Sequence, residues 1–242
     1  MLGGVSSAAS ATPAPHLPVG FAHRGGALTR RQQNTLPAFL RAVRLGAGVE
    51  SDVQLTADGE PVLLHAPLGL HRGRPLRRLR RSQLPATVPT LADLYRRCGV
   101  DFPLALDMTE PAAAEAVVEV ARAHGALSNL WMTYWRLDRL EGWRAQWPDL
   151  RLVFPSLLVR APSQLLPRLA DIGVDAVNVH HRAVGPRLVA AADAHGMRVL
   201  AWGVRRRGSI AAVLARGADG VFADDAEALA RALAAARARA PG

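Results

Sequence analysis

Two acids spaced two residues apart, Glu50 and Asp52 in GVESDVQL, and a third, Asp107 in PLALDMT, are the side chains of this chain whose types and spacing best suit chemistry. Alternate side chains of a β-strand share a face. In the first segment Val49, Ser51, Val53 and Leu55 fall on one side, with Glu50, Asp52 and Gln54 on the other. In the second, Leu104, Leu106 and Met108 oppose Ala105, Asp107 and Thr109. Three carboxylates turned inward at one end of a sheet repel one another and are costly to bury. A hard divalent cation such as Mg²⁺ or Ca²⁺ would resolve the conflict. A water-filled rim with salt bridges to the abundant arginines would also resolve it, and spacing leaves both open.

Two histidines stand where they could act with these acids. His23 ends a strand-like run in GFAHRGG, and His65 ends the segment TADGEPVLLH. TADGE is too short for a parallel crossover, so a turn at Asp58-Gly59 is expected to fold Pro61–His65 back along Val49–Leu55 and bring His65 beside Glu50. His124 and His195 sit in AHG at helix ends, where a cation suits the dipole, and read as structural. His180 and His181 end a strand, and one of them could line a mouth. His71 lies in a basic loop and His16 near the N-terminus.

The elements that must position these residues follow a rhythm of strand-like run, helical run and glycine. Gly46, Gly99, Gly125, Gly173, Gly196 and Gly217 each follow a helical stretch, where glycine closes the last turn. Strands are expected at Gly20–Arg24, Val49–Leu55, Pro61–His65, Pro103–Met108, Leu130–Thr133, Leu152–Pro155, Ala176–His180, Val199–Val204 and Gly220–Ala223. Strand and helix in alternation imply right-handed crossovers and a parallel sheet. The chain carries neither a Gly-rich dinucleotide fingerprint nor a P-loop, and with about nine strands it favours a closed α/β barrel, the TIM (β/α)₈ fold, as a single domain over 19–242. The hairpin accounts for the surplus strand. In such a barrel the C-terminal ends of the strands open into the active site, so all three acids point into one mouth.

Composition narrows the classes. Half of the 242 residues are hydrophobic, enough for one large core, and the only cysteine, Cys98, excludes an intramolecular disulfide and a CxxC metal site. No run is apolar enough for long enough to span a bilayer. Residues 1–18, small and Ala/Ser/Pro-rich, lack the basic start and continuous apolar run of a secretory signal and are expected to be a disordered tail. The net charge of +10 comes entirely from arginine. Its densest patch, HRGRPLRRLRR from His71 to Arg81, reads first as a solvated loop and could also attract an anionic substrate, a membrane surface or nucleic acid. Few aromatics accompany it, so nucleic-acid binding is not expected.

HRGG, then QNTLPAFLRAVRLGAGVESDVQLTADGEPVLLHAP, VPTLADL, LALDMT, VLAWGV and GADGVFADD, taken together and in order, resemble the glycerophosphodiester phosphodiesterase family from about Phe21 to Leu229. The resemblance implies a TIM barrel that hydrolyses glycerophosphodiesters to glycerol 3-phosphate and an alcohol with Mg²⁺ or Ca²⁺. It implies that His23 and His65 are the acid–base pair and that Glu50, Asp52 and Asp107 hold the metal. Arg24 would lie on the phosphate side, and Trp202 would line the substrate side. A cytoplasmic location and a small-molecule glycerophosphodiester or lysophospholipid-like substrate go with this reading, with peripheral contact to an anionic membrane through residues 71–81.

The sequence also departs from the family pattern. The usual ENT reads Gln33-Asn34-Thr35, and the usual HD reads His65-Ala66. The EIK strand reads Asp107-Met108-Thr109, so its acid is shorter and its lysine is gone, and the final TD reads Ala223-Asp224. These departures motivate a rival, a degenerate barrel that binds phosphorylated ligands or a protein partner without turnover.

Overall fold

The structure, a computed structural model, describes residues 17–26, 29–65, 70–156, 162–204 and 207–239. All of the expected N-terminal tail except Leu17 and Pro18 lies outside that range, as do Ala66 and Pro67.

Eleven strands form among the described residues: β1 (Val19–Ala22), β2 (Gly48–Leu55), β3 (Pro61–Leu63), β4 (Leu70–His71), β5 (Arg74–Pro75), β6 (Leu104–Met108), β7 (Leu130–Thr133), β8 (Arg151–Pro155), β9 (Ala176–His180), β10 (Arg198–Val204) and β11 (Gly220–Ala223). Eight of them, all but β3, β4 and β5, run parallel and close on themselves, because β1 pairs with both β11 and β2. Eight α-helices follow: α1 (Leu36–Arg44), α2 (Leu91–Cys98), α3 (Ala114–Ala123), α4 (Leu137–Gln146), α5 (Leu166–Ile172), α6 (Pro186–Asp193), α7 (Arg207–Ala215) and α8 (Ala226–Arg237). This is the expected TIM barrel. The six glycines expected to end helices all have positive φ. Thr90 starts α2 with a capping box: its Oγ1 accepts from Asp93 N at 3.0 Å, and its own N–H donates to the Asp93 carboxylate at 2.9 Å.

β2 is long because it serves two partners on one edge. Its first residues pair with β1, and Val53, Gln54 and Leu55 pair antiparallel with Leu63, Val62 and Pro61. The hairpin and its Asp58-Gly59 turn are as the sequence predicts. Thr56 closes the turn, its Oγ1 accepting from Glu60 N and donating to Asp58.

Two layers of packing flank the barrel wall. Outside, Val49, Val53, Leu104, Leu106 and Met108 join the helices in one large apolar cluster, which matches the face assignment from alternation. Inside, Phe21, Ala105, Trp131, Val153, Ala176, Leu200 and Phe222 fill the barrel. The Arg151 and Arg198 guanidinium carbons lie 5.0 and 5.5 Å from the Trp131 ring centre, and this cation–π layer belongs to the same interior.

Two local expectations are corrected. The first strand ends at Ala22, not Arg24, because His23-Arg24-Gly25 turns sharply with Arg24 in the left-handed region (φ 51°, ψ 36°). The basic stretch from His71 to Arg81 is also more than a solvated loop. It forms the β4–β5 hairpin and two short 3₁₀ turns, and Leu76 and Leu79 pack with Val62, Leu84 and Val88 in a small core of their own.

Candidate active site

The mouth at the C-terminal ends of the strands encloses a cavity of about 330 Å³ lined by His23, Glu50, Asp107, Thr133, Pro155, Asn178, Trp202, Gly203, Val204, Phe222 and Asp224. Several of these side chains reach it by two-residue alternation along or just past their strands. Ala105 lies in the barrel filling and Asp107 at the mouth; Phe222 and Asp224, and Leu200 and Trp202, repeat the pattern.

The turn after β1 carries most of the polar contacts. Left-handed backbone at Arg24, Gly25 and Gly26 lets the Arg24 N–H donate to Glu50 Oε2 at 2.9 Å. A Cβ on Gly26 would meet the backbone of Ala226 at 2.8 Å, so the second glycine of HRGG lets α8 approach the turn. Non-glycine residues in this conformation are strained, and such strain is held by surrounding structure. Here Asn34 holds it: its N–H donates to Arg24 O at 3.0 Å, and its Oδ1 accepts from Ser51 Oγ at 2.8 Å. The Arg24 guanidinium lies 3.4 Å from Asp52 Oδ2, and its Nη1 donates to Gln33 Oε1 at 3.4 Å.

Both histidines are oriented in the same way. His23 Nδ1 is 2.7 Å from Asp224 Oδ1, and its Nε2 stands 3.9 Å from Glu50 Oε2. His65 Nδ1 is 3.1 Å from Asp52 Oδ2. A carboxylate only accepts, so each Nδ1 carries the proton and each Nε2 is the nitrogen left for a reacting group. His65 therefore lies beside Asp52 rather than Glu50 as expected. β3 ends at Leu63, and the chain leaves the hairpin before the histidine.

The electrostatics are strained by negative charge. Burial pushes the Glu50 carboxyl up to about 7, with the neighbouring Asp52 and Asp107 adding to the shift and His23 opposing it. Asp107 opens onto the cavity, yet desolvation by the walls of the mouth and then Asp52 push it up to about 6. For His23, burial opposes the charged form, but the hydrogen bond to Asp224 and the field of Glu50 outweigh it, and the ring titrates above the ordinary histidine value.

Of the seven residues expected at the site, His23, Glu50, Asp107 and Trp202 border the cavity, and Arg24, Asp52 and His65 are tied to one another beside it. Glu50, Asp52 and Asp107 lie near enough that Asp52 raises the proton affinity of the other two, but among the described residues no group of three or more His, Cys, Asp or Glu side chains is arranged to hold a metal ion. The physical reason is that Arg24 and His65 engage Asp52, and the Arg24 N–H engages Glu50. The donor set nevertheless suits a hard divalent cation in kind, because crowded carboxylates with raised proton affinity are what such an ion relieves.

Trp202 is aimed by an irregularity. Between Ala201 and Val204 the register of β10 against β11 slips by one residue, and Gly203 takes φ 79°. This bulge beside the mouth re-aims the indole, which stacks edge-on to His180 at 4.8 Å. Sequence reasoning missed Asp224, Asn178 and Thr133. Extending the alternation rule from β2 and β6 to every strand would have found all three.

The closed parallel barrel with an acidic mouth bordered by His23 belongs to the TIM-barrel class. Residues 23–228 match the Glycerophosphoryl diester phosphodiesterase family, and the chain belongs to it. It is therefore a phosphoric diester hydrolase, and hydrolysis of glycerophosphodiesters is the activity of that family. A glycerophosphodiester phosphodiesterase of Caldanaerobacter subterraneus subsp. tengcongensis is 24% identical over 237 residues, covering 86% of this chain and 95% of that one. Among solved structures, an Oleispira antarctica phosphodiesterase in complex with the product sn-glycerol-3-phosphate has the same fold (TM-score 0.76, 24% identity, 90% of this chain and 97% of that one). So does a glycerophosphodiester phosphodiesterase of Thermotoga maritima (TM-score 0.73, 24% identity, 88% and 96%).

Proposed function

We propose that the chain hydrolyses glycerophosphodiesters, or related lysophospholipid headgroups, to glycerol 3-phosphate and an alcohol by metal-dependent acid–base catalysis with His23 and His65. The observation that carries this reading is the matched pair of imidazoles. Each has Nδ1 fixed by a carboxylate, and β1 and β3, which lead to the two histidines, pair with the same edge of β2, the strand that supplies Glu50 and Asp52.

A phosphodiester resists attack because its charge repels nucleophiles and its alkoxide leaves poorly. Arg24 neutralises phosphate charge, and its strained backbone fixes where the guanidinium stands. Glu50, Asp52 and Asp107 would hold the Mg²⁺ or Ca²⁺, which when bound would polarise the phosphoryl oxygens. One histidine Nε2 takes the proton of the attacking hydroxyl, and the other delivers a proton to the departing oxygen; where the hydroxyl is the substrate's own, the cyclic phosphate formed is opened by water in a second step. Asp224 and Asp52 hold the rings in the required tautomer. Trp202 forms a wall against the substrate.

The protein acts in the cytoplasm in this reading. Among the described residues no helix is long and apolar enough to cross a membrane. Arg72, Arg74, Arg77, Arg78 and Arg80 are exposed on the basic hairpin and its following turn, and we assign them to contact with an anionic membrane surface.

His23→Ala and His65→Ala test the mechanism. Each is expected to lower glycerophosphocholine turnover by about 10²–10⁴-fold while leaving the melting temperature near that of the parent. Turnover within a few-fold of the parent in either variant would remove that histidine from catalysis.

A further inference from the structure

The cavity has two unlike halves. The side built by β1, β2, β6 and β11 presents His23, Glu50, Asp107 and Asp224, all ionisable. The side built by β7, β8, β9 and β10 presents Thr133, Pro155, Asn178 and Trp202, none of which carries a charge. With a divalent cation on the acids and Arg24 beside them, a diester would have one orientation that suits it, its phosphorus against the ionisable half and its glycerol arm against the other.

On that neutral half two polar atoms are buried without a partner, Asn178 Oδ1 and Trp202 Nε1. Asn178 is 8% exposed and sits on β9 level with Leu200 of β10, two residues short of Trp202, so both side chains belong to the inward face of neighbouring strands. A buried amide oxygen left unbonded is costly, and native structures keep such atoms for a reason. Both atoms are buried in the wall; turned to the cavity, such an acceptor and donor complement a hydroxyl group, which donates to one and accepts from the other. A quaternary ammonium could satisfy neither, and an anion would be repelled by the acceptor.

We propose that Asn178 is a specificity-determining residue that reads a hydroxyl of the substrate's glycerol arm. A small turn of its amide about χ2 brings Oδ1 from the wall to the cavity as the ligand enters. This rests on the hydrolase reading for the identity of the ligand, but not for its test.

The test is calorimetric binding of three phosphomonoesters in the presence of Mg²⁺ or Ca²⁺: glycerol 3-phosphate, 3-hydroxypropyl phosphate and 2-hydroxypropyl phosphate. The last two each lack one of the two glycerol hydroxyls. The parent protein is expected to bind at least one of them about 10–100-fold more weakly than glycerol 3-phosphate. Asn178→Leu, similar in size and unable to accept, is expected to shrink that difference to under about threefold. It should also leave the melting temperature unchanged or higher, because an unbonded buried polar atom is removed. Asn178→Asp, which keeps the acceptor, serves as the second variant if Asn178→Leu fails to fold, and is expected to retain the discrimination while weakening all three phosphates together. Equal affinity for the three ligands in the parent would overturn the proposal. So would discrimination undiminished in Asn178→Leu, or discrimination lost in Asn178→Asp. Absence of diester turnover with binding discrimination intact would instead count against the hydrolase reading alone.

Discussion

Asp224 illustrates what single residues contribute here. It holds His23 by Nδ1, so Asp224→Asn is expected to lower kcat by about 10–100-fold and to bring the His23 titration down towards the ordinary histidine value. A pH–rate profile together with an NMR titration of the ring checks both effects, whereas a merely structural role would move only stability. Glu50 and Asp107 make a second prediction. Their folded-state values, about 7 and about 6, lie above the ordinary 4.5 and 3.8, so the folded state holds more protons across that interval. By linkage, stability of the metal-free protein falls as pH rises from about 5 to about 7.5, and the raised His23 value acts in the same direction. Denaturation at a series of pH values, with and without Mg²⁺ or Ca²⁺, should show that slope and its flattening by the ion. The acid pattern and both histidines were legible in the sequence because alternation is a local rule. The partners of each group were not, since His23 meets a residue 201 positions away and His65 meets Asp52 only through a register that the turn alone does not fix.

At the scale of elements, the turn after β1 and the basic hairpin carry the consequences. Ala at position 26 would need φ near 62° and would press on Ala226 from α8. Gly26→Ala is expected to cost roughly 2–4 kcal/mol and to reduce turnover by displacing His23 and Arg24, measured by denaturation and assay on the same samples. The sequence places the first strand correctly but extends it through Arg24, because alternation carries no mark of left-handed backbone at a non-glycine residue. The hairpin was read as a solvated loop because its charges outnumber its leucines. The structure turns Leu76 and Leu79 inward, where they anchor the arginines. Replacing Arg77 and Arg78 with Gln is expected to weaken sedimentation with phosphatidylglycerol vesicles by roughly thirtyfold at low salt, at about 1 kcal/mol per charge, with no change in melting temperature. Unchanged sedimentation would remove the hairpin as the membrane contact.

For the whole molecule, strand and helix in alternation, six glycine helix ends and the missing nucleotide fingerprint were enough to reach the closed barrel, because closure follows from many independent local signals. The three carboxylates do crowd one another, but the turn each takes within the mouth was not legible. Alternation places side chains on a face, but Arg24 and His65 decide where Asp52 turns. The central claim is that this mouth hydrolyses diesters with a divalent ion, despite the departures at Gln33 and Thr109. The most direct measurement is glycerophosphocholine turnover by the chelator-stripped protein before and after addition of Mg²⁺ or Ca²⁺. The account predicts release of glycerol 3-phosphate that is abolished by chelation and restored by one of these ions. Binding of the diester with no turnover under either ion would contradict it and leave a barrel that only binds.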